Sequence, residues 1–315
     1  MTRWISEAEV ASLVGVADAV AVVEELLRAT AEGLAECRPR QRVRVPGAML
    51  HGLIGGCAYL NRVGWKQYLT TRQGAQFLVG LYDTEDPQLL ALIEADRLGQ
   101  LRTGAITGLA VRQLYGQPIS RLALFGCGWQ AESQLEAICH ANRVAEASVY
   151  CRNPERRQRF AAAMQPRIGC KIEAAPDARS AATGADVVVC ITTSSEPVVE
   201  NAWLEECRLL VAAGSNAENR IEFPPSLVAR ASQVVCDDIP SCRIEAGELI
   251  AAEREGIFRF EQAVRLADYF APQQIAAAEG LRIFKSVGIA SADVAMADRI
   301  YHRATENSDS STAGG

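Results

Sequence analysis

Between Pro118 and about Leu281 the chain alternates short apolar strands with helical stretches, and this alternation limits its fold more than any other feature. Strand-like LALFG leads into a helix from about Gln130, followed by strand ASVYC, helix PERRQRFAAAM and a short strand around CKIEAA. A helix at about Ala178 to Thr183, strands DVVVCIT and RLLVAAG, a helix around PPSLVARA and strand QVVCDD come next. Alternating β and α units of this length form a parallel sheet with helices on both faces. At the first strand–helix turn, Gly126-x-Gly128-x-x-Ala131 has the spacing G-x-G-x-x-A. The first glycine permits a tight turn, the second lets backbone approach a diphosphate, and the small third residue lets helix and strand pack closely. The opening of the helix, Trp129 and Gln130, adds unpaired N–H groups and the positive end of the helix dipole. The expected result is a Rossmann-type dinucleotide-binding domain.

The second strand ends at Cys151, where the adenosine ribose of such a site lies. An NAD site often has Asp or Glu there to accept from the 2′-hydroxyl, whereas this chain has Arg152, with Arg156 and Arg157 nearby. A guanidinium matches a 2′-phosphate, so NADP(H) is preferred and NAD(H) remains possible. Arg152 is the chosen contact; Arg156 and Arg157 read as the solvated face of a helix. Thr192, Thr193 and Ser194 close one strand, and Gly214, Ser215 and Asn216 close the next. Ligands in open α/β sheets bind beyond the carboxyl ends of strands, which assigns both turns to the cofactor.

Outside this region the texture differs. Ser6 to Glu36 has apolar residues at helical spacing, fitting two helices divided near Gly15 to Asp18. Arg40 to Tyr82 breaks into strand-like pieces with glycine punctuation, which predicts a mostly antiparallel sheet. Strand LLALIEAD, a small-residue helix RTGAITGLAVRQLYG, and a closing amphipathic helix from Asp293 to about Arg303 complete the pattern. Lys66, Arg102, Arg42 and Arg44 are the basic residues here that together offer a carboxylate clamp.

The net charge is −6, with both signs mixed along the chain, which gives no electrostatic footprint for nucleic acid or an acidic membrane. No leader pattern is visible, and no apolar run approaches the ~20 residues that cross a bilayer, so a cytoplasmic protein is expected. The ten cysteines form no C-x-x-C pair and several lie in apolar strands; they read as buried free thiols. His51, His140 and His302 lie far apart in sequence, and no metal site is expected.

Six blocks, RTGAITGLA, FGCGWQA, CRNPERR, ITTSSEP, AAGSN and FKSVGIASAD, resemble in that order the ornithine cyclodeaminase/mu-crystallin family over nearly the whole chain. The resemblance implies an α/β protein in which both chain ends, residues 1–117 and 282–315, build an α+β substrate-binding and dimerisation domain. Residues 118–281 would form the NAD(P) domain, and two copies would pair as a homodimer. It matches Lys66 to a substrate-contacting lysine and Arg102 to the arginine of an R-T-A motif in which Gly104 here replaces alanine. It matches Arg44 or Arg42, with Arg44 preferred, to a carboxylate-binding arginine, and Ser286, Val287 and Gly288 to a turn that approaches the nicotinamide.

Two departures bear on activity. Cyclodeaminases of the family carry an aspartate where this chain has Asn216, which cannot serve as a carboxylate base. They also carry a glutamate where Leu53, Ile54 and Gly55 stand. The leading expectation is therefore an NAD(P)H-dependent reductase of a ketimine or α-imino acid, reversible as an amino-acid dehydrogenase, acting on a small amino- or imino-acid substrate. The alternatives are an ornithine cyclodeaminase-type lyase using bound NAD and a non-enzymatic protein that binds NADPH or another ligand.

Overall fold

The computed structural model describes residues 2–273 and 279–312, the side chains of 308–312 excepted. In chain order the elements are β1 (Arg3–Ile5), α1 (Glu7–Leu13), α2 (Val16–Ala31), β2 (Ala35–Cys37), β3 (Gln41–Val45), β4 (Ala48–Cys57), β5 (Arg62–Thr71), β6 (Gly74–Asp83), β7 (Leu89–Glu94) and α3 (Asp96–Leu114). Then come β8 (Ile119–Phe125), α4 (Trp129–Ala141), β9 (Val144–Tyr150), α5 (Pro154–Met164), β10 (Lys171–Ala174), α6 (Ala178–Ala182), β11 (Val187–Cys190), β12 (Leu209–Ala212) and β13 (Ala231–Cys236). The chain closes with α7 (Ile239–Glu245), α8 (Gly247–Arg254), β14 (Val264–Arg265), β15 (Leu281–Lys285) and α9 (Ala290–Thr312).

These elements form two compact units, Met1–Arg102 with Ile289–Gly315, and Thr103–Gly288. The divisions therefore fall at 102/103 and 288/289, rather than at 117/118 and 281/282. One cause is β15, which pairs in parallel with both β12 and β13 and so belongs to the second unit. The other is α3, whose later turns press on α4. A Cβ at Gly104 would lie 2.3 Å from the Ser133 carbonyl oxygen, and one at Gly108 2.5 Å from that of Ala137. Alanine at 104 does not fit this approach, which explains the R-T-G sequence.

In the first unit the sheet runs β1-β7-β6-β5-β4-β2, with β3 also on β4. All pairings are antiparallel except β1 with β7. Side chains alternate between faces. Leu53, Lys66, Val79 and Leu81 are buried on the face that α9 covers, while Leu50, Ile54, Val63 and Leu69 are exposed on the other. Helix α2 packs on α9 through an apolar stripe that includes Val22, Val23, Leu26 and Leu27. Ser6 and Glu9 close a capping box at the start of α1, satisfying N–H groups that a helix end leaves unpaired.

The second unit holds a parallel sheet in the order β10-β9-β8-β11-β12-β15-β13-β14. VVVC of β11 and LLVA of β12 are buried at every residue, because helices cover both faces of such a sheet and leave no solvent side to alternate toward. Strand order reverses between β8 and β11, the position where open α/β sheets bind ligands. The PPSLVARA segment is a 3-10 turn, Pro225–Arg230, rather than an α-helix.

Candidate active site

The β8–α4 turn lies at this switch point. Gly126 has φ +115°, a left-handed conformation, and a Cβ there would lie 2.3 Å from the Ile191 carbonyl oxygen. Both facts require glycine. Gly128 differs: it caps α4 with φ −99°, and a Cβ would meet nothing closer than an Arg156 guanidinium nitrogen at 3.7 Å. Nothing in the protein demands glycine at 128, so the open space in front of it is a cradle that a diphosphate fits and a side chain would fill. Trp129, half exposed, and Gln130 begin the helix, and Ala131 is buried with its N–H donating to the Gly128 carbonyl at 3.0 Å.

The ribose region corrects the sequence reading in part. Arg152 is exposed, as is Arg156, but Arg156 is engaged: its Nε donates to the Cys127 carbonyl at 2.9 Å. Asn153 caps α5, with its side chain accepting from the Arg156 N–H, and Pro154 follows at the first helical position. Asn153, Arg156, Arg159, Cys127 and Glu132 help to line a cavity of about 530 Å³ beside the glycine turn. Arg157 donates to the Cys151 and Pro176 carbonyls and lies over the Tyr150 ring. Arg156 and Arg157 are thus more than a solvated helix face.

The other strand-end turns are held from behind by buried carboxylates. Glu222 accepts from the Thr192 N–H at 2.6 Å and the Gly214 N–H at 2.8 Å, tying the ends of β11 and β12 together. Its own N–H donates to Glu248, which pairs with Lys285 at 3.1 Å in complete burial. Burial raises the Glu222 carboxyl above its usual range, although Lys285 and the two N–H donors oppose this. Ser194 and Thr192 are half-buried, Thr193 is exposed, Ser215 is buried and Asn216 half-buried. At the end of β15, Asp237 accepts from the Ser286 hydroxyl (2.7 Å) and from the Val287 (2.9 Å) and Gly288 (2.7 Å) N–H groups. The Ser286 hydroxyl is committed to that carboxylate, so this turn presents shape rather than a free hydroxyl.

In the first unit Lys66 and Arg102 converge on one carboxylate. Lys66 Nζ donates to Asp293 Oδ1 at 2.9 Å, and Arg102 Nε donates to the same oxygen at 3.1 Å. All three side chains are at least nine-tenths buried. Burial pushes the Lys66 ammonium below its ordinary pKa, with Arg102 adding to this and Asp293 resisting it. Burial opposes ionisation of Asp293, yet Arg102 and Lys66 hold its carboxyl below the usual range. Its second oxygen, Oδ2, is buried with no hydrogen-bond partner among the described residues.

The arginines of the neighbouring strand also need correction. Arg44 is exposed and Arg42 half-buried; Arg40, on the same side of the chain, is buried. Gln41 pairs with Gly52 and Lys66 with Leu53, so Arg40, one residue before Gln41, lies on the Lys66 rung. Its positive charge acts on both Lys66 and His51. Exposure grows along this side of the chain from Arg40 through Arg42 to Arg44, and the charge of Arg40 reaches Lys66.

Sequence reasoning missed Asp293, Asp237, Glu222 and Arg40. Asp293 left a signal: a carboxylate amid Ala290, Ala292, Val294 and Ala295 on a buried helix face requires a cation. All ten cysteines are free, and most are buried. Among the described residues no cluster of three or more His, Cys, Asp and Glu has a metal-holding arrangement, and no helix is long and apolar enough to cross a membrane.

A Rossmann-type sheet joined to a second α+β unit defines a nucleotide-binding α/β protein with a buried basic cluster. The family model described as ornithine cyclodeaminase/mu-crystallin family matches residues 3–308, and the chain belongs to that family. A Delta(1)-pyrroline-2-carboxylate reductase of Bacillus cereus is 30% identical over 232 residues, covering 73% of this chain and 71% of that protein. The solved archaeal alanine dehydrogenase dimer with bound NAD has a TM-score of 0.89 at 27% identity, covering 98% of this chain and 97% of its own. The Thermococcus litoralis Delta(1)-pyrroline-2-carboxylate reductase, solved with NADH and L-proline, shares the fold with a TM-score of 0.89 at 24% identity, covering 97% and 98% of the two chains.

Proposed function

We propose that the chain is an NAD(P)H-dependent reductase of a ketimine or small α-imino acid, reversible as an amino-acid dehydrogenase. The observation that carries this reading is the Lys66–Asp293–Arg102 cluster, a buried lysine with a depressed pKa held beside guanidinium groups. Arg102, with Arg40 and Arg42 on the adjoining strand, binds the substrate's α-carboxylate. Arg44, exposed, has no part in it. Lys66 moves a proton at the imine nitrogen, for which a lowered pKa suits it. Asp293 orients Lys66 and Arg102 toward a shared point and balances their charge. A bound nicotinamide cofactor supplies the hydride.

The cofactor's diphosphate rests on Gly126, Gly128, Trp129, Gln130 and Ala131, where the open cradle at Gly128 fits it. Thr192, Thr193, Ser194, Gly214, Ser215, Asn216 and the turn at Ser286, Val287 and Gly288 shape the nicotinamide end. NADP(H) is the preferred cofactor in this reading because Asn153 and Arg156 help to line the cavity beside the glycine turn, and Arg152 rather than Asp or Glu follows the end of β9. Two copies associate as a homodimer through the outer sheet face, where Val43, Leu50 and Leu69 share one rung and Ile54 and Trp65 another. Free thiols throughout suit the reducing cytoplasm.

The test is a set of absorbance assays with NADPH or NADH and pyrroline-2-carboxylate, piperideine-2-carboxylate, or pyruvate with ammonia or methylamine. Cofactor oxidation, faster with NADPH, is expected. Ammonia released from ornithine without net cofactor turnover would replace this reading with the lyase.

A further inference from the structure

His51 lies on β4 one rung along from the Leu53–Lys66 pair, on the same face, because strand side chains alternate. Two residues of strand separate the rungs, roughly 7 Å. Its ring stacks on Tyr68 at 4.2 Å between centroids and 6° between planes, and Tyr68 stacks on Phe77 at 4.9 Å. Lys66 Nζ sits 5.5 Å from the centre of the same Phe77 ring. The row of rings therefore joins His51 to the Lys66 cluster. His51 is 8% exposed.

The contacts of Thr70 bear on which ring nitrogen carries the proton. Thr70 Oγ1 donates to the Met49 carbonyl at 3.3 Å, and its oxygen lies 3.2 Å from His51 Nε2. We assign the Thr70 proton to the Met49 carbonyl, which leaves Thr70 as the acceptor and Nε2 as the protonated ring nitrogen. Nδ1 is left as a bare acceptor, buried and without a partner among the described residues. Burial, with Arg42 and Arg40 adding to it, pushes the ring's pKa down to about 4, so it does not become a second donor at neutral pH. A buried acceptor left unsatisfied is costly, and a ligand donor recovers that cost. The same arginines repel a cation, which selects a neutral donor over an ammonium group.

We propose that His51 is a specificity residue that accepts a hydrogen bond, through Nδ1, from a hydroxyl or amide N–H on the side chain of the imino-acid substrate. This rests on the reductase reading of the Lys66 cluster and extends it to the substrate class. The chain prefers imines of hydroxy- or carboxamide-bearing 2-oxo acids over their apolar counterparts.

The test compares two nearly isosteric imines, formed with ammonia from hydroxypyruvate and from 2-oxobutyrate, by the ratio of their kcat/KM values. The wild type is expected to favour the hydroxylated imine about tenfold or more, the value of one satisfied hydrogen bond. H51N puts an amide oxygen where Nδ1 stood and should keep the preference. H51Q reaches Thr70 instead and empties the Nδ1 position, so its ratio should fall toward one. Thermal melts of both variants report whether each is folded. A wild-type ratio near one, or an H51Q ratio equal to wild type, overturns the role of His51 while leaving the reductase intact. Failure to reduce any imine, these or the cyclic ketimines, overturns the reductase reading, and the His51 role falls with it.

Discussion

Around the glycine turn, the strand ends offer backbone N–H groups and small residues, with carboxylates buried behind them; around Lys66, long charged side chains gather on one carboxylate. Glu222 and Asp237 hold peptide N–H groups, so their effect is to fix the course of the backbone. Asp293 holds an ammonium and a guanidinium, so its effect is to fix side chains and balance charge. On the proposed reading, the cofactor is held by backbone geometry, while the substrate is read by side chains, which substitution alters without moving the chain.

The largest effect should come from removing the central carboxylate. D293A leaves Lys66 and Arg102 as adjacent buried cations, and breaking a buried pair in this way costs about 3–5 kcal/mol. Urea denaturation should register that loss, together with loss of imine reduction. A loss below about 1 kcal/mol would mean that water screens the cluster and that the contrast with the backbone-built region is false.

A glycine pair sharpens the same contrast within the second unit. G104A forces a Cβ against the Ser133 carbonyl and should destabilise by about 1–3 kcal/mol, as overpacking does. G128A meets only open space and should leave the melting temperature unchanged while weakening NADPH binding about tenfold or more. Equal stability losses in the two would remove the case that Gly128 serves a ligand.

A further test concerns pH. His51 has a folded pKa of about 4 against 6.5 for the free side chain, so the unfolded chain binds the extra proton first as pH falls. Its contribution to stability should be fully present above about pH 6.5 and decline toward pH 4. The melting temperature of wild type should fall more steeply than that of H51Q across this window, and parallel curves would contradict the assigned burial of a neutral ring.

The contrast also explains what was legible in the sequence. The parallel sheet and the phosphate turn were readable because they depend on local pattern: apolar runs, glycine spacing and a strand leading straight into a helix. Lys66 and Arg102 stood out as polar residues in apolar or small-residue segments. Their partner Asp293 did not, since it lies 227 residues from Lys66 and chain spacing carries no trace of that contact. Asp237 and Glu222 were hidden because their partners are backbone N–H groups, which leave no mark in residue type. Arg40 was missed, and Arg44 preferred to Arg42, because the arginines alternate along one side of the chain and only burial separates them. The unit boundary moved for a similar reason: LRIFK reads as the start of a terminal segment, and only its pairing with β12 and β13 assigns it to the parallel sheet. The last helix runs past Arg303 to Thr312, through polar residues that carry no apolar spacing to mark them as helical.

The most direct measurement follows the hydride itself. Wild-type enzyme, NADPH carrying deuterium at the transferable position of its nicotinamide, and pyrroline-2-carboxylate should yield proline one mass unit heavier, labelled at the α-carbon and formed in step with cofactor oxidation. Unlabelled proline, or proline and ammonia appearing from ornithine while the cofactor is unchanged, would contradict the account.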